Sequence, residues 1–334
     1  MKKGQTIRVI QYGLGPIGAA TARLVTERSE LQLVGAVDID PAKVGRDVGD
    51  VASMGMNTGI RVCERLSDLD STARADVVLH TTSSFFPTFM DQIAEILGFG
   101  CDVVSTSEEL AFPWLANREA AERLSKIAKK AKKTVLGTGV NPGFLMDSLP
   151  LFLTGICQRV DRIEAMRAIN ASLRRGPFQA KIGSGLSLEE FEERMRSGRM
   201  GHIGLPESIG MCFDTLGRPL DRYTSSVEPI VADRRIRTDH FVVEKGQVRG
   251  LHQTAQGFSD GAEFVRLVFI AALDWSENHD EIRIRGVPDL EVRLSGTNGD
   301  LATVAIAVNA IQRVIDAPPG LMTMRDLPPV VCGG

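Results

Sequence analysis

Over the first 140 residues, short β-branched runs alternate with segments whose apolar residues recur at helical spacing. The runs TIRVIQYG, LQLVGAVD, GIRVCE, ADVVLHTT, CDVVSTS and KTVLGTGV predict six strands. Strands separated by helices, with little polar alternation inside them, imply a parallel sheet covered on both faces. After Gly143 the pattern changes to longer alternating runs, DRIEAMRAINAS, DHFVVEKGQVRGL, AEFVRLVFIAALD and DEIRIRG, joined by turn signals such as Lys245-Gly246. These predict mainly antiparallel pairing. One helix is marked by its start: SLEEFEERM opens with Ser187 and carries Glu190 three residues on, the spacing of a capping box. From Gly299, GDLATVAIAVNAIQRVI predicts a final helix whose small apolar residues pack back on the first domain. The expected fold class is therefore α/β, a doubly wound parallel sheet with a second, mainly antiparallel α+β domain. The expected boundaries are 1–142, 143–298 and a C-terminal helix and tail at 299–334.

A chain of 334 residues is long for one core and favours two domains. Its 43% hydrophobic and 24% charged residues argue against disorder as the dominant state. A net charge of −3 offers no global attraction to nucleic acid or to an anionic membrane. The one basic run, KIAKKAKK, has the spacing of a solvated helix face. Five cysteines, odd in number and scattered without a C-x-x-C pair, suggest neither a disulfide framework nor a metal site and fit a reducing cytoplasm. The N-terminus begins with two lysines, but Arg8 and Gln11 interrupt what a signal peptide would need as an apolar stretch. No segment approaches the roughly 18 apolar residues of a membrane span. Small molecules are the expected partners.

The segment YGLGPIG supplies Gly13, Gly15 and Gly18 in G-x-G-x-x-G order, directly after an apolar strand and before a helical pattern. Gly13 permits the tight turn, Gly15 lets the backbone approach a pyrophosphate, and Gly18 allows close helix packing. Pro16 suits the first helical turn. Asp38 follows Gly18 by twenty residues at the end of the second strand, where an acid accepts hydrogen bonds from a ribose 2′-hydroxyl. A Rossmann dinucleotide site is expected, with Gly13, Gly15, Pro16, Ile17, Gly18 and Asp38 as its residues. The acid favours NAD(H), while Lys43 and Arg46 just beyond could turn toward a 2′-phosphate and leave NADP(H) open. Asp40, before Pro41, reads as a turn or cap residue.

In open α/β sheets ligands bind beyond the carboxyl ends of the strands. That rule selects TTSSF at 81–85, STSEE at 105–109 and GTGVNPGF at 137–144. Glu108 and Glu109 stand side by side in the second. Adjacent strand residues point to opposite faces, so the pair is not expected to share one task. Ketone reduction builds negative charge on oxygen, yet neither Tyr12 nor Tyr223 has a lysine four residues on to assist it. Amine oxidation instead generates an iminium cation, which a carboxylate stabilises by about 4 kcal/mol at 4 Å and an effective dielectric of ~20, before desolvation. Carbon–nitrogen chemistry fits the acids better.

The motifs QYGLGPIG, DIDPAKVGRD, STSEELAFPW, GTGVNPGFLMD, GHIGLPESIG and the tail ending PPGLMTMRDLP, in this order, resemble the 2,4-diaminopentanoate dehydrogenases and native amine dehydrogenases. These are distant relatives of dihydrodipicolinate reductase, whose His-His-x-x-Lys signature is absent here. The resemblance implies NAD(P)-dependent oxidative deamination of an amine, or reductive amination of a carbonyl with ammonia, in a homodimer. It implies that Glu108 is the catalytic acid and that Glu109 is structural. It places Asn141 and Phe144 at the nicotinamide and the substrate pocket, His202 in the pocket wall, and Thr82, Ser83 and Ser84 along the cofactor. For these three, capping of the next turn is the plainer role. Arg174 and Arg175 are weaker candidates for reading a substrate carboxylate. The competing readings are reduction of an imine without free ammonia and a dinucleotide sensor without turnover.

Overall fold

A computed structural model describes residues 6–70, 74–198 and 200–333; the basic chain start, residues 1–5, lies outside them. The chain divides into two compact units, one formed by the residues up to Phe144 together with those from Asn298 onward, the other by Leu145–Thr297.

In the first unit, strands β1 (Ile7–Tyr12), β2 (Leu31–Val37), β3 (Val62–Cys63), β4 (Val77–His80), β5 (Asp102–Ser105) and β6 (Thr134–Gly137) pair in parallel. A seventh strand, Gly320–Met322, joins the edge beside β6, so the order runs Gly320–Met322, β6, β5, β4, β1, β2, β3. Side chains alternate between two cores, with Val77, Leu79, Val104 and Leu136 in one and Val78, Val103 and Val135 in the other. The doubly wound sheet follows directly. Helix α1 (Pro16–Glu27) buries Gly18, Thr21, Ala22 and Val25, one stripe at helical spacing. A short turn of helix, α2, spans Val48–Val51. Helix α3 (Phe86–Phe99) buries Phe86, Phe89, Met90, Ile93, Ile96 and Leu97 and stops at Gly100 with φ +89°. In helix α4 (Arg118–Ala131), Ala121, Leu124 and Ala128 face inward while Lys126, Lys129 and Lys130 are exposed, so the basic run is a solvated face. Among the described residues no helix is long and apolar enough to cross a membrane.

The second unit is built on a six-stranded sheet. Its elements are helix α5 (Ser148–Thr154), β7 (Arg159–Asn170), helices α6 (Gly176–Lys181), α7 (Leu188–Arg196) and α8 (Leu205–Thr215), β8 (Arg222–Val231), the small ribbon β9 (Ile236–Arg237) and β10 (Val242–Val243), then β11 (Val248–Ser259), β12 (Ala262–Ala272), β13 (His279–Val287) and β14 (Leu290–Ser295). The order is β14, β13, β7, β12, β11, β8, antiparallel throughout except for the parallel pair β7 and β12. Helix α8 covers one face, where Gly257 leaves room for Phe213 and Ile209. The capping box of α7 is present, Ser187 Oγ accepting from the Glu190 N–H and Glu190 accepting from the Ser187 N–H.

Three expectations are corrected and three strands are added. The run GIRVCE forms only the two-residue β3, and Arg61 before it makes an isolated antiparallel bridge with Asp47. The final helix divides at Ala310 into Gly299–Asn309, packed on α1, and Ile311–Asp316, packed under β5 and β6. Strands β8, β14 and Gly320–Met322 had no clear sequence signal, β8 because it is exposed along almost its whole length. Finally, Glu108 and Glu109 are not on a strand: β5 ends at Ser105 and Glu108–Leu110 is a single 3-10 turn, so strand alternation does not separate them.

That turn rests on β6. A Cβ on Gly137 would stand 2.3 Å from the Leu110 carbonyl carbon and 2.7 Å from the Ala111 nitrogen, both backbone atoms that cannot rotate away. Gly137→Ala should cost about 1–3 kcal/mol of unfolding free energy, the range for overpacking. Urea unfolding checks this; a loss below 0.5 kcal/mol, roughly the scale of an ordinary surface substitution, would contradict it.

Candidate active site

The glycine loop is held by hydrogen bonds from its neighbours in the sheet. Gln11 donates through Nε2 to the Gly13 carbonyl and to Thr81 Oγ1, both at 2.9 Å, and Thr81 Oγ1 donates to the same carbonyl. Thr21 on α1 donates to Gln11 Oε1 at 2.6 Å. Gly13 has φ +88°, a conformation only glycine adopts without strain. A Cβ on Gly18 would lie 1.9 Å from the Gly13 oxygen. Gly15 differs: a Cβ there would meet nothing within 4 Å. Helix α1 therefore begins beside open space, with exposed Pro16 and half-buried Ile17 in its first turn, no side-chain cap and no acid. Such a helix start suits a pyrophosphate, since its free N–H groups and positive dipole end have no internal partner.

Asp38 stands at the end of β2 and is almost fully buried. Its Oδ2 accepts from the Leu14 N–H at 2.6 Å and from Lys43 Nζ at 3.1 Å, and its Oδ1 accepts from the Asp40 N–H at 2.9 Å. The acid thus ties the glycine loop to β2. Asp40 caps its own turn by accepting from the Ala42 N–H, the turn role expected of it.

The ends of β4 and β5 are brought together. Ser107 Oγ donates to the Ser83 carbonyl and the Glu109 N–H donates to the Ser84 carbonyl. Glu109 Oε2 accepts from the Phe86 N–H at 2.6 Å, capping α3 in place of a side chain at Phe85. Ser83 Oγ accepts from the Phe85 N–H, a turn cap. The two acids are thus told apart by bonding. Glu109 is engaged, whereas the half-buried Glu108 carboxylate has no hydrogen-bond or ion-pair partner among the described residues. Beyond β6, the Thr138 N–H donates to the Ser105 carbonyl, and buried Asn141 precedes Pro142 through a cis peptide. Phe144 is half-buried against the core on the α1 side.

His202 belongs to the second unit. Its ring stacks on Phe269 with 4.7 Å between centroids, and Gln253 clamps its backbone, accepting from its N–H and donating to its carbonyl. Arg174 lies over the Phe178 ring and Arg175 precedes α6. Gln253 escaped the sequence reading because it sits in ordinary strand alternation.

His80 also escaped it. This fully buried residue ends β4, with Nδ1 2.9 Å from Ser105 Oγ and Nε2 2.9 Å from both Gln92 Oε1 and Thr82 Oγ1. Ser105 Oγ in turn accepts from the Ser107 N–H, and Thr82 donates to Gln92. Gln92 Oε1 can only accept, so Nε2 carries the proton and Nδ1 accepts from Ser105. The neutral ring therefore completes a directed chain that reaches the residue before Glu108. Burial pushes its pKa down to about 4, against the opposing Gln92 hydrogen bond.

A bare helix start beyond a glycine loop, with a buried acid at the end of the second strand, has the form of a dinucleotide-binding site. The sequence profile of the 2,4-diaminopentanoate dehydrogenase C-terminal domain matches residues 144–332. The 2,4-diaminopentanoate dehydrogenase of Acetoanaerobium sticklandii is 32% identical over 97% of this chain and 94% of its own. An amine dehydrogenase of Streptomyces virginiae is 23% identical over 96% of each chain. The solved amine dehydrogenase of Mycobacterium smegmatis shares the fold, with a TM-score of 0.87, 23% identity, and coverage of 99% of this chain and 98% of that one. The chain belongs to the 2,4-diaminopentanoate dehydrogenase family, and it is an NAD(P)-dependent oxidoreductase of the amine dehydrogenase class.

The buried histidine makes an acid-side prediction. Unfolded, His80 takes up a proton near pH 6.5; folded, it does so only near 4. Its contribution to stability is full above 6.5 and is lost as pH falls toward 4, by on the order of 3 kcal/mol. Urea unfolding at pH 7 and pH 4 should show that His80→Gln, though less stable at pH 7, loses less on acidification than wild type. Equal losses would contradict the neutral buried ring.

Proposed function

We propose that the protein interconverts an amine and its parent carbonyl compound, consuming water and NAD(P)+ and releasing ammonia in one direction, and consuming ammonia and NAD(P)H and releasing water in the other. The observation that carries this reading is the half-buried Glu108 carboxylate beyond β5, which has no partner among the described residues, on a chain of this family. NAD(H), held by the glycine loop, α1 and Asp38, accepts or supplies the hydride when bound. Exposed Ile39, directly after Asp38, offers an apolar surface suited to the adenine. Thr82, Ser83, Ser84 and Asn141 are assigned to the cofactor, and Phe144 to the substrate pocket.

Glu108 acts by charge and by proton transfer. As base it removes a proton from ammonium or from the substrate ammonium, leaving a neutral nitrogen for attack or oxidation. Once that proton has passed to solvent it is again an anion and stabilises the iminium cation that lies between amine and carbonyl. Glu109 cannot substitute for it while its carboxylate caps α3. The five free cysteines favour a cytoplasmic location.

We further propose a homodimer built on the second unit. The sheet face opposite α8 leaves Met166, Thr254, Val268 and Ile270 half-exposed on the neighbouring strands β7, β12 and β11. Beside them Arg162, Glu164, Glu263, Arg266 and Arg283 form linked ion pairs. A second copy would cover this apolar centre with a charged margin.

Glu108→Gln keeps size but removes basicity, so turnover with saturating ammonium should fall by roughly 10²-fold or more, the scale of lost acid–base catalysis. Glu109→Gln retains an acceptor for the Phe86 N–H and should change turnover far less. Steady-state rates at the nicotinamide absorbance decide this; an equal or larger loss at Glu109 would reverse the assignment, and full activity without ammonium would favour imine reduction. For assembly, light scattering should give twice the 36.2 kDa chain mass. A monomer at working concentration refutes the dimer.

A further inference from the structure

The acid expected to reject a 2′-phosphate does not stand alone. Lys43 Nζ lies 3.1 Å from Asp38 Oδ2 and 3.4 Å from Asp40 Oδ2, in the turn that follows β2. The turn is rigidly tied, with the Lys43 and Val44 N–H groups donating to the Asp40 carbonyl. The Lys43 side chain is about one-quarter exposed, so its ammonium is accessible from solvent. An ionised carboxylate offers about four acceptor positions. Three of those on Asp38 are taken, by the Leu14 N–H, the Asp40 N–H and Lys43, and only the lysine is free to leave, since the other two donors are backbone.

We infer that Lys43 sets how strongly this site discriminates between NADH and NADPH. The inference rests on the reading that the glycine loop and Asp38 hold the dinucleotide. The 2′-hydroxyl of NADH is neutral, whereas the 2′-phosphate of NADPH carries a charge of about −2 near neutral pH. The group of Asp38, Lys43 and Asp40 carries one net negative charge; without Lys43 the two acids carry two. The difference acts on NADPH and hardly on NADH. A lysine is also suited to exchange partners, being a compact cation on a flexible stem: it can release Asp38 and meet a phosphate without moving the turn. Asp38 alone thus predicts sharper rejection of NADPH than the Asp38, Lys43 and Asp40 group delivers.

The test is direct binding of NADH and NADPH to the purified protein, followed by nicotinamide fluorescence and by calorimetry, for wild type, Lys43→Met and Lys43→Arg. The ratio of the NADPH to the NADH dissociation constant should rise at least tenfold in Lys43→Met, equivalent to about 1.4 kcal/mol. In Lys43→Arg, which restores the cation, it should stay within about threefold of wild type. A smaller rise in Lys43→Met, or an equal rise in both variants, overturns the inference. Binding needs no amine turnover, so a protein that binds both cofactors but deaminates nothing would refute the proposed reaction alone. If wild type binds neither cofactor, both readings fail.

Discussion

The close approach of α1 to the end of β1 is the constraint on which the rest of the first unit depends. Gly18 has no room for a side chain, because its missing Cβ would fall 1.9 Å from the Gly13 carbonyl oxygen. That contact puts the bare start of α1 over the sheet, and the Gly13 carbonyl, once turned inward, is satisfied by Gln11 and Thr81. Thr81 belongs to the end of β4, so the turn of the glycine loop and the position of the next strand's loop are settled together. Leu14, one residue further, gives its N–H to Asp38 and draws the end of β2 into the same arrangement.

From Thr81 the order passes along the carboxyl edge of the sheet. His80, buried beneath it, links β4 to β5 through Ser105, and Ser105 receives the Ser107 N–H. Ser107 and Glu109 then bind the carbonyls of Ser83 and Ser84. Glu108 is carried on a turn fixed on both sides, by these bonds and by the backbone packing over Gly137. Its position is set by its neighbours' hydrogen bonds, while its own carboxylate oxygens take no partner among the described residues.

Alternation along a strand would put Glu108 and Glu109 on opposite faces, but the strand ends three residues before them. They differ nevertheless, because Glu109 reaches a helix start 23 residues away in the chain and Glu108 does not. Asp38 shows the converse. Its position was plain from spacing, but its charge environment was not, since the ammonium beside it depends on how the following turn folds.

Periodicity and spacing by themselves determined the six parallel strands, the covering helices, the capping box at Ser187, the change of texture near Gly143 and the glycine loop with its acid. Each is encoded within some twenty residues of chain, where sterics and burial act locally. Tertiary structure alone decided that Gly320–Met322 completes the sheet, that β8 is a strand although solvent wets it, that His80 is a neutral link and not a lone core histidine, and that Glu109 is bound while Glu108 is not. Those features are contacts between segments 20 to nearly 190 residues apart. They depend on strand register and loop geometry, which no local pattern of apolar and polar positions contains.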